Sequence, residues 1–322
     1  MTLDLESVIH RARESLREAL AFDDLSARRH TRLRAEATTR GKPFHETRSG
    51  FIDAGLDLSE RARALQVDVL LVCATKTEFE QLEAAAVARG LAWEAMQGAA
   101  GAYYQLGRVG HDRVSVLRLK EMGSHSPDGS AFACHRARAE TGATSVIGVG
   151  MAFGIDVVRQ SIADVLISTS VFLYEDCRVR DDPTTGRLRY DYKKKARVDA
   201  SERWLDRFRA LKNRAWKPSS GASCEMHFGR LLAGSKLIES AAFRDELVRE
   251  RVPKADVPVV GGEMEAAGIA AACRPPGEWI IVKGICDYAT EESRERVPQT
   301  REPAARAAAE CVLDALAMTG SA

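Results

Sequence analysis

The chain has 322 residues, 45% hydrophobic and 29% charged, the balance of a folded protein with a sizeable core. Its 47 Lys and Arg against 46 Asp and Glu leave a net charge of +1, which disfavours a polyelectrolyte role such as coating DNA. No run approaches the ~18 apolar residues of a membrane helix, and the charged start MTLDLESVIHRARESLREAL has no signal-peptide core. Seven scattered cysteines without a CxxC pair predict a cytoplasmic protein with reduced thiols, and nothing calls for a metal or a cofactor.

Residues 1–66 form one compositional unit. Leu5, Val8, Ile9, Ala12, Leu16, Ala19 and Leu20 recur at helical spacing and predict an amphipathic helix over 4–21. Residues 24–40 are helix-prone but weakly apolar, and the turn-rich GKPFHETRSGFIDAG predicts a loop. With no catalytic motif, this region is expected to be a small helical appendage for oligomerisation or docking.

From residue 67 strands and helices alternate. VDVLLVCA (67–74) predicts a buried strand, and residues 76–90 a helix ending at Gly90. AYYQLGRVG and RVSVLRLK predict a strand pair, residues 129–142 a helix, and TSVIGVGMAFG (144–154) a strand entering a glycine-rich turn. Strands follow at 163–175, 225–234, 257–262 and 278–287, with helices at 235–250, 263–273 and 301–318. This alternation predicts one α/β domain over 67–322, with a largely buried sheet flanked by helices. A basic insertion interrupts it at 176–222: residues 176–217 hold 14 Lys and Arg against 7 Asp and Glu, a local +7. Such a run is either a solvated face or an anion-attracting lid. Tyr190 and Tyr192 beside Lys193, Lys194 and Lys195 could stack single-stranded nucleic acid, but no recognised binding pattern accompanies them and nucleic acid is not the expected partner.

Acidic residues stand at or just after three predicted strand ends: Glu78, the Glu263-Met264-Glu265 tripeptide, and Asp287. Each alone has a plain structural explanation, as a helix-dipole or turn residue. Together they are what acid–base chemistry at the carboxyl edge of a sheet needs.

The ordered segments VLLVCATKTEFEQL, VIGVGMAFGI, ADVLISTSVFLYE, GRLLAGSKLI, GGEMEAAGIAAAC and VKGICDYATEES resemble the nucleoside phosphorylase/nucleosidase superfamily over 67–318. Within it the chain is most similar to the methylthioadenosine/S-adenosylhomocysteine nucleosidase branch and to nucleosidase-like bacterial defence effectors. The resemblance implies a mixed central sheet flanked by helices and cleavage of a purine N-glycosidic bond through an oxocarbenium-like sugar. Asp287 then matches the acid that protonates N7 of the leaving base, a role that needs a carboxyl kept protonated by burial or neighbours. Glu78 matches the residue that orients and deprotonates water. Glu265 matches the holder of the ribose hydroxyls, with Met264 against the sugar and Glu263 as a nearby acid. Leu237 and Ile238 match base-pocket positions; Met151 and Phe153 lie on the glycine-rich strand and turn, where Phe153 narrows the pocket.

The first loop, ATKTEFE, carries Glu78 and no arginine, and Gly148 and Met151 stand where the phosphorolytic branch has Arg and Ser. Water is therefore the expected nucleophile, with phosphate the alternative if Lys120, Ser124, His125 and Ser126 hold an anion. An aspartate at 287 fits adenine. Arg178, Arg180, Arg189, Lys193, Lys194 and Lys195 are the candidates for a 5′-phosphate, which points to ATP or AMP as substrates of a defence effector. CDYAT ends on Thr290 where the family has a further acid, so a non-catalytic purine-binding sensor or assembly subunit is the second class. A homo-oligomer and a defence-system partner protein are the expected associations.

Overall fold

This computed structural model describes residues 65–98, 101–186, 188–192, 196–221, 223–251, 257–273 and 277–318. The helices expected over 4–21 and 24–40, and Lys193, Lys194 and Lys195, lie outside the described residues.

The sheet is mixed. Its strands are β1 (Val69–Cys73), β2 (Glu94–Gln97), β3 (Ala102–Val109), β4 (Asp112–Arg118), β5 (Ser145–Gly154), β6 (Val165–Leu173), β9 (Arg197–Asp199), β10 (Met226–Ala233), β11 (Val259–Glu263) and β12 (Glu278–Asp287). They run in the order β11-β10-β6-β12-β5-β1-β4-β3-β2, with β9 on β6. β1, β5 and β12 are parallel neighbours, so their carboxyl ends share one edge. β11 pairs with β10 and, antiparallel, with the end of β5 through Gly261–Gly154 and Gly262–Phe153, which curls the sheet so that β11 ends beside β5. The central strands read as continuous apolar runs because helices cover both faces. Leu70, Leu71, Ile147 and Ile280 are fully buried, and each such side chain stabilises the fold by about 1.5–3 kcal/mol.

The helices are α1 (Lys76–Ala88), α2 (Ser130–Thr141), α3 (Glu202–Asn213), α4 (Ala241–Glu246) running into a π-helical turn, α5 (Ala266–Ala272), α6 (Glu291–Glu295) and α7 (Val297–Ala317). α7 packs along α1, β12 and β5, while α2 packs on α5. Arg89, the C-cap of α1, and Asp314 of α7 are joined at 2.8 Å.

Four expectations need correction. The helix predicted over 235–250 is helical only from Ala241, and residues 234–240 are an irregular loop begun at Gly234. There, a side chain at 234 would collide with Tyr174. The helix predicted from Glu263 begins at Ala266, because Glu263 completes β11 and folds back to cap it. The last helix begins at Val297 rather than 301: Pro298 falls in the first turn, where no amide is needed. The basic insertion, given no elements from sequence, forms the separate hairpin β7 (Cys177–Asp181) and β8 (Leu188–Tyr192), then β9 and α3.

Candidate active site

The carboxyl ends of β1, β5, β11 and β12 surround a cavity of about 250 Å³. Glu78, Met151, Phe153, Leu237, Ile238, Glu263, Met264, Glu265 and Asp287 all line it. Segments separated by as much as 209 positions thus meet in one place. Ile238 is buried whereas Leu237 is half exposed at the mouth.

Glu78 is held by the backbone. Thr75 and Glu78 form a capping box at the start of α1, Thr75 Oγ1 accepting from the Glu78 amide at 3.2 Å. Glu78 Oε2 accepts from the amides of Ala74 (2.9 Å) and Thr75 (2.8 Å), and Oε1 from that of Met151 (2.7 Å). Gly150 makes this reach possible, since a Cβ there would strike the Glu78 carboxylate.

Glu263 accepts from the amides of Glu265 and Ala266 at 2.9 Å. Glu265 accepts at Oε1 from the Gly123 amide (3.0 Å) and at Oε2 from Lys283 Nζ (3.1 Å). The Met264 carbonyl accepts from Ser124 Oγ at 2.9 Å.

Lys283 was missed in the sequence. It is 1% exposed, in the middle of β12, and its ammonium lies 3.1 Å from Glu265, 3.7 Å from Glu263 and 3.9 Å from Glu78. Burial, the largest single influence, pulls its pKa down, but Glu265, Glu78 and Glu263 together hold it above the ordinary lysine range. Burial likewise pushes the Glu263 carboxyl up to about 7, against the pull of Lys283. The signal was a charge inside the apolar strand WIIVKGIC, since a lysine is rarely fully buried without partners.

Asp287 is buried at the end of β12. Its Oδ1 accepts from the Ala289 amide at 2.7 Å, and Ala289 takes a left-handed φ of 53° in the turn that brings this amide round. Its Oδ2 accepts from Arg294 Nη1 at 3.1 Å and from the Cys286 thiol at 3.2 Å. Burial, then the Asp287 charge, pushes that thiol well above its ordinary pKa, so it stays protonated and donates. Arg294 also binds Glu239 at 3.2 Å and lines the cavity, as do Lys236 and Arg301; sequence reasoning missed all three.

A family model described as "Phosphorylase superfamily" matches residues 68–317. The chain belongs to that superfamily. Among solved structures, it is similar to a 5′-methylthioadenosine/S-adenosylhomocysteine nucleosidase from Neisseria meningitidis in complex with methylthio-immucillin-A, with 21% identity and a TM-score of 0.59, covering 77% of this chain and 98% of that one. A futalosine hydrolase of Helicobacter pylori matches at 15% identity and a TM-score of 0.59 over 77% and 96% of the two chains. A putative nucleosidase of the same type from Francisella philomiragia matches at 18% and 0.60 over 77% and 97%. At such identities the likeness establishes the phosphorylase-superfamily fold. None of the curated proteins matches.

The basic hairpin stands apart from this superfamily site. Arg178, Arg180 and Arg189 are exposed and do not line the cavity, because β7 and β8 pair with each other and Asp191 takes both Arg180 and Arg189 at 3.0 Å. Tyr192 is not displayed for stacking: its ring lies 4.8 Å from Phe172 and its hydroxyl donates to the Tyr174 carbonyl. Of the four candidates for an anion near residue 124, Ser124 is spent on Met264 and the Gly268 amide, His125 pairs with Ser235, Lys120 lies 4.0 Å from Asp128, and Ser126, whose buried hydroxyl has no partner among the described residues, does not line the cavity. Thr290 caps α6. Among the described residues no group of three His, Cys, Asp or Glu is placed to hold a metal, and no helix is long and apolar enough to cross a membrane.

Proposed function

We propose that the protein is a purine N-glycosidase that uses water to cleave the N-glycosidic bond of an adenine nucleoside or nucleotide, releasing adenine. One observation carries the choice of water over phosphate. The amides of Ala74, Thr75 and Met151 converge at the end of β1 as an anion cradle, and the carboxylate of Glu78 already fills it. A phosphate dianion finds its donors taken and a like charge in its place.

Acceptor counting assigns the roles. A carboxylate offers about four acceptor positions. Glu78 has spent three on backbone amides and keeps one, on Oε1, to take a proton from water. Glu265 has spent two, on Gly123 and Lys283, and keeps two for a pair of ribose hydroxyls. Lys283 fixes the spacing between these acids and balances their charge. Asp287 faces the base, with Ile238 and Phe153 as apolar wall. The retention of a full set of acids in one cavity favours turnover over a purine-binding sensor or assembly subunit.

None of these groups is assigned to the ribose C5′. The exposed Arg301, and Lys236, which is ion-paired with Glu175, also line the cavity. The Arg301 charge favours a 5′-phosphate, and AMP or ATP, over a thioether. A cytoplasmic, homo-oligomeric defence effector with a protein partner is the biological setting that the family resemblance suggests. Chromatography of the products from ATP, AMP, adenosine and methylthioadenosine tests the reading. Adenine released from at least one of them supports it; no adenine from any sinks it, and release from methylthioadenosine alone removes the nucleotide.

A further inference from the structure

Asp287 is surrounded by donors: the Ala289 amide on Oδ1, and the Arg294 guanidinium and Cys286 thiol on Oδ2. By the same count, one acceptor position remains, on Oδ1. Arg294 shows the converse. A guanidinium carries five N–H donors; one is given to Asp287 and one, from Nε, to Glu239, which leaves three. Both side chains line the cavity. An acceptor and a set of free donors therefore stand side by side where the base must lie.

That pattern matches one purine edge. Adenine presents N7 as acceptor next to the 6-amino group as donor, whereas a 6-oxopurine presents two acceptors. We propose that Arg294 is a catalytic residue that donates to N7 of the leaving adenine while Asp287 accepts from its 6-amino group. This inference rests on the N-glycosidase reading but replaces the role that the resemblance implies for Asp287: with donors on both its oxygens, Asp287 accepts from the base and Arg294 acts on N7. As the C1′–N9 bond breaks, its electron pair passes into the imidazole ring and collects at N7, where the fixed guanidinium stabilises it. The water oxygen bonds to C1′ and gives its proton to Glu78, which returns it to solvent. The adenine anion takes one proton from solvent, so one water is consumed and no oxidant or reductant is needed. A preformed donor aimed at developing charge is the arrangement with the largest effect on a barrier. A carboxylate facing O6 of a 6-oxopurine is repelled, so the same pair sets the base preference.

The test compares leaving groups. Wild type, Arg294→Met, Arg294→Lys and Glu239→Gln are assayed on whichever of adenosine, AMP and methylthioadenosine the wild type cleaves fastest, and on p-nitrophenyl riboside. The nitrophenolate leaves as a stable anion and needs no donor. Arg294→Met is expected to lose about 10²–10³ in kcat on the adenine substrate, the cost of removing one such donor, yet to keep most of its rate on the nitrophenyl riboside. Arg294→Lys retains part of the adenine activity, and Glu239→Gln, which frees only the outer end of Arg294, retains nearly all. Melting curves check that each variant folds. Equal loss on both substrates reduces Arg294 to a structural tie and overturns the proposal, as does an unchanged adenine rate. Cleavage of neither substrate by the wild type overturns the reading on which it rests.

Discussion

The cavity floor and the β7–β8 hairpin are both rich in charge, and they handle it in opposite ways. On the floor, Glu78, Glu263, Glu265, Asp287 and Lys283 are all less than 8% exposed, and each carboxylate is held by backbone amides or a buried cation. On the hairpin, Arg178, Arg180 and Arg189 are exposed, and two of them share Asp191. Desolvated, amide-held charge is costly to bury and is kept in place by the fold; solvated charge is cheap and replaceable. The local +7 of the insertion therefore marks a water-facing surface, while the chemistry gathers around fewer charges whose surroundings are fixed.

Breaking the floor should have the largest effects. Glu78→Gln keeps the shape but cannot accept a proton from water, and its amide meets backbone donors. The expected loss in kcat is about 10²–10⁴-fold, read from the rate of adenine release, with the fold checked by circular dichroism. A rate within error of wild type removes Glu78 from the mechanism. Lys283→Met leaves Glu78, Glu263 and Glu265 buried without their shared cation. Removing one partner of a buried ion pair costs about 3–5 kcal/mol, which denaturant unfolding should register, together with loss of activity.

Glu263 sharpens the contrast through pH. Its folded-state carboxyl, raised from about 4.5 to about 7, keeps its proton where the unfolded chain has lost it. Its contribution to stability is full below the unfolded value and is lost as pH rises through the folded one. Glu263→Gln removes this penalty, so its melting temperature should gain on wild type between pH 5 and pH 8. A constant offset across that range contradicts the assignment. The smallest effect belongs to the hairpin. Replacing Arg178, Arg180 and Arg189 by alanine should change stability by less than about 1 kcal/mol and leave the AMP and methylthioadenosine rates alike. A selective loss on AMP would bring the hairpin back to the substrate.

Much of this was legible in the sequence. The apolar runs at 67–74, 144–154 and 278–287 became neighbouring parallel strands, and the acids placed at the ends of 67–74, 257–262 and 278–287 became one floor. Glu78 bears out both of its readings: it closes the capping box at the start of α1 and it lines the cavity. Less legible were features set by tertiary position. Charge density around residue 190 pointed to an anion site, but density does not say which way a hairpin faces. Arg294 sits in a polar run of a five-residue helix, and only the turn at Ala289 brings it back onto Asp287. Lys283 was visible as a lone charge in an apolar strand, yet its three partners lie 18 to 205 residues away in the chain.

The most direct test of the central claim is adenine release by the wild type in phosphate-free buffer made with ¹⁸O-labelled water. Hydrolysis at this floor predicts adenine together with a free sugar carrying the label at C1′. Product that appears only when phosphate is added, as a sugar 1-phosphate, would contradict it.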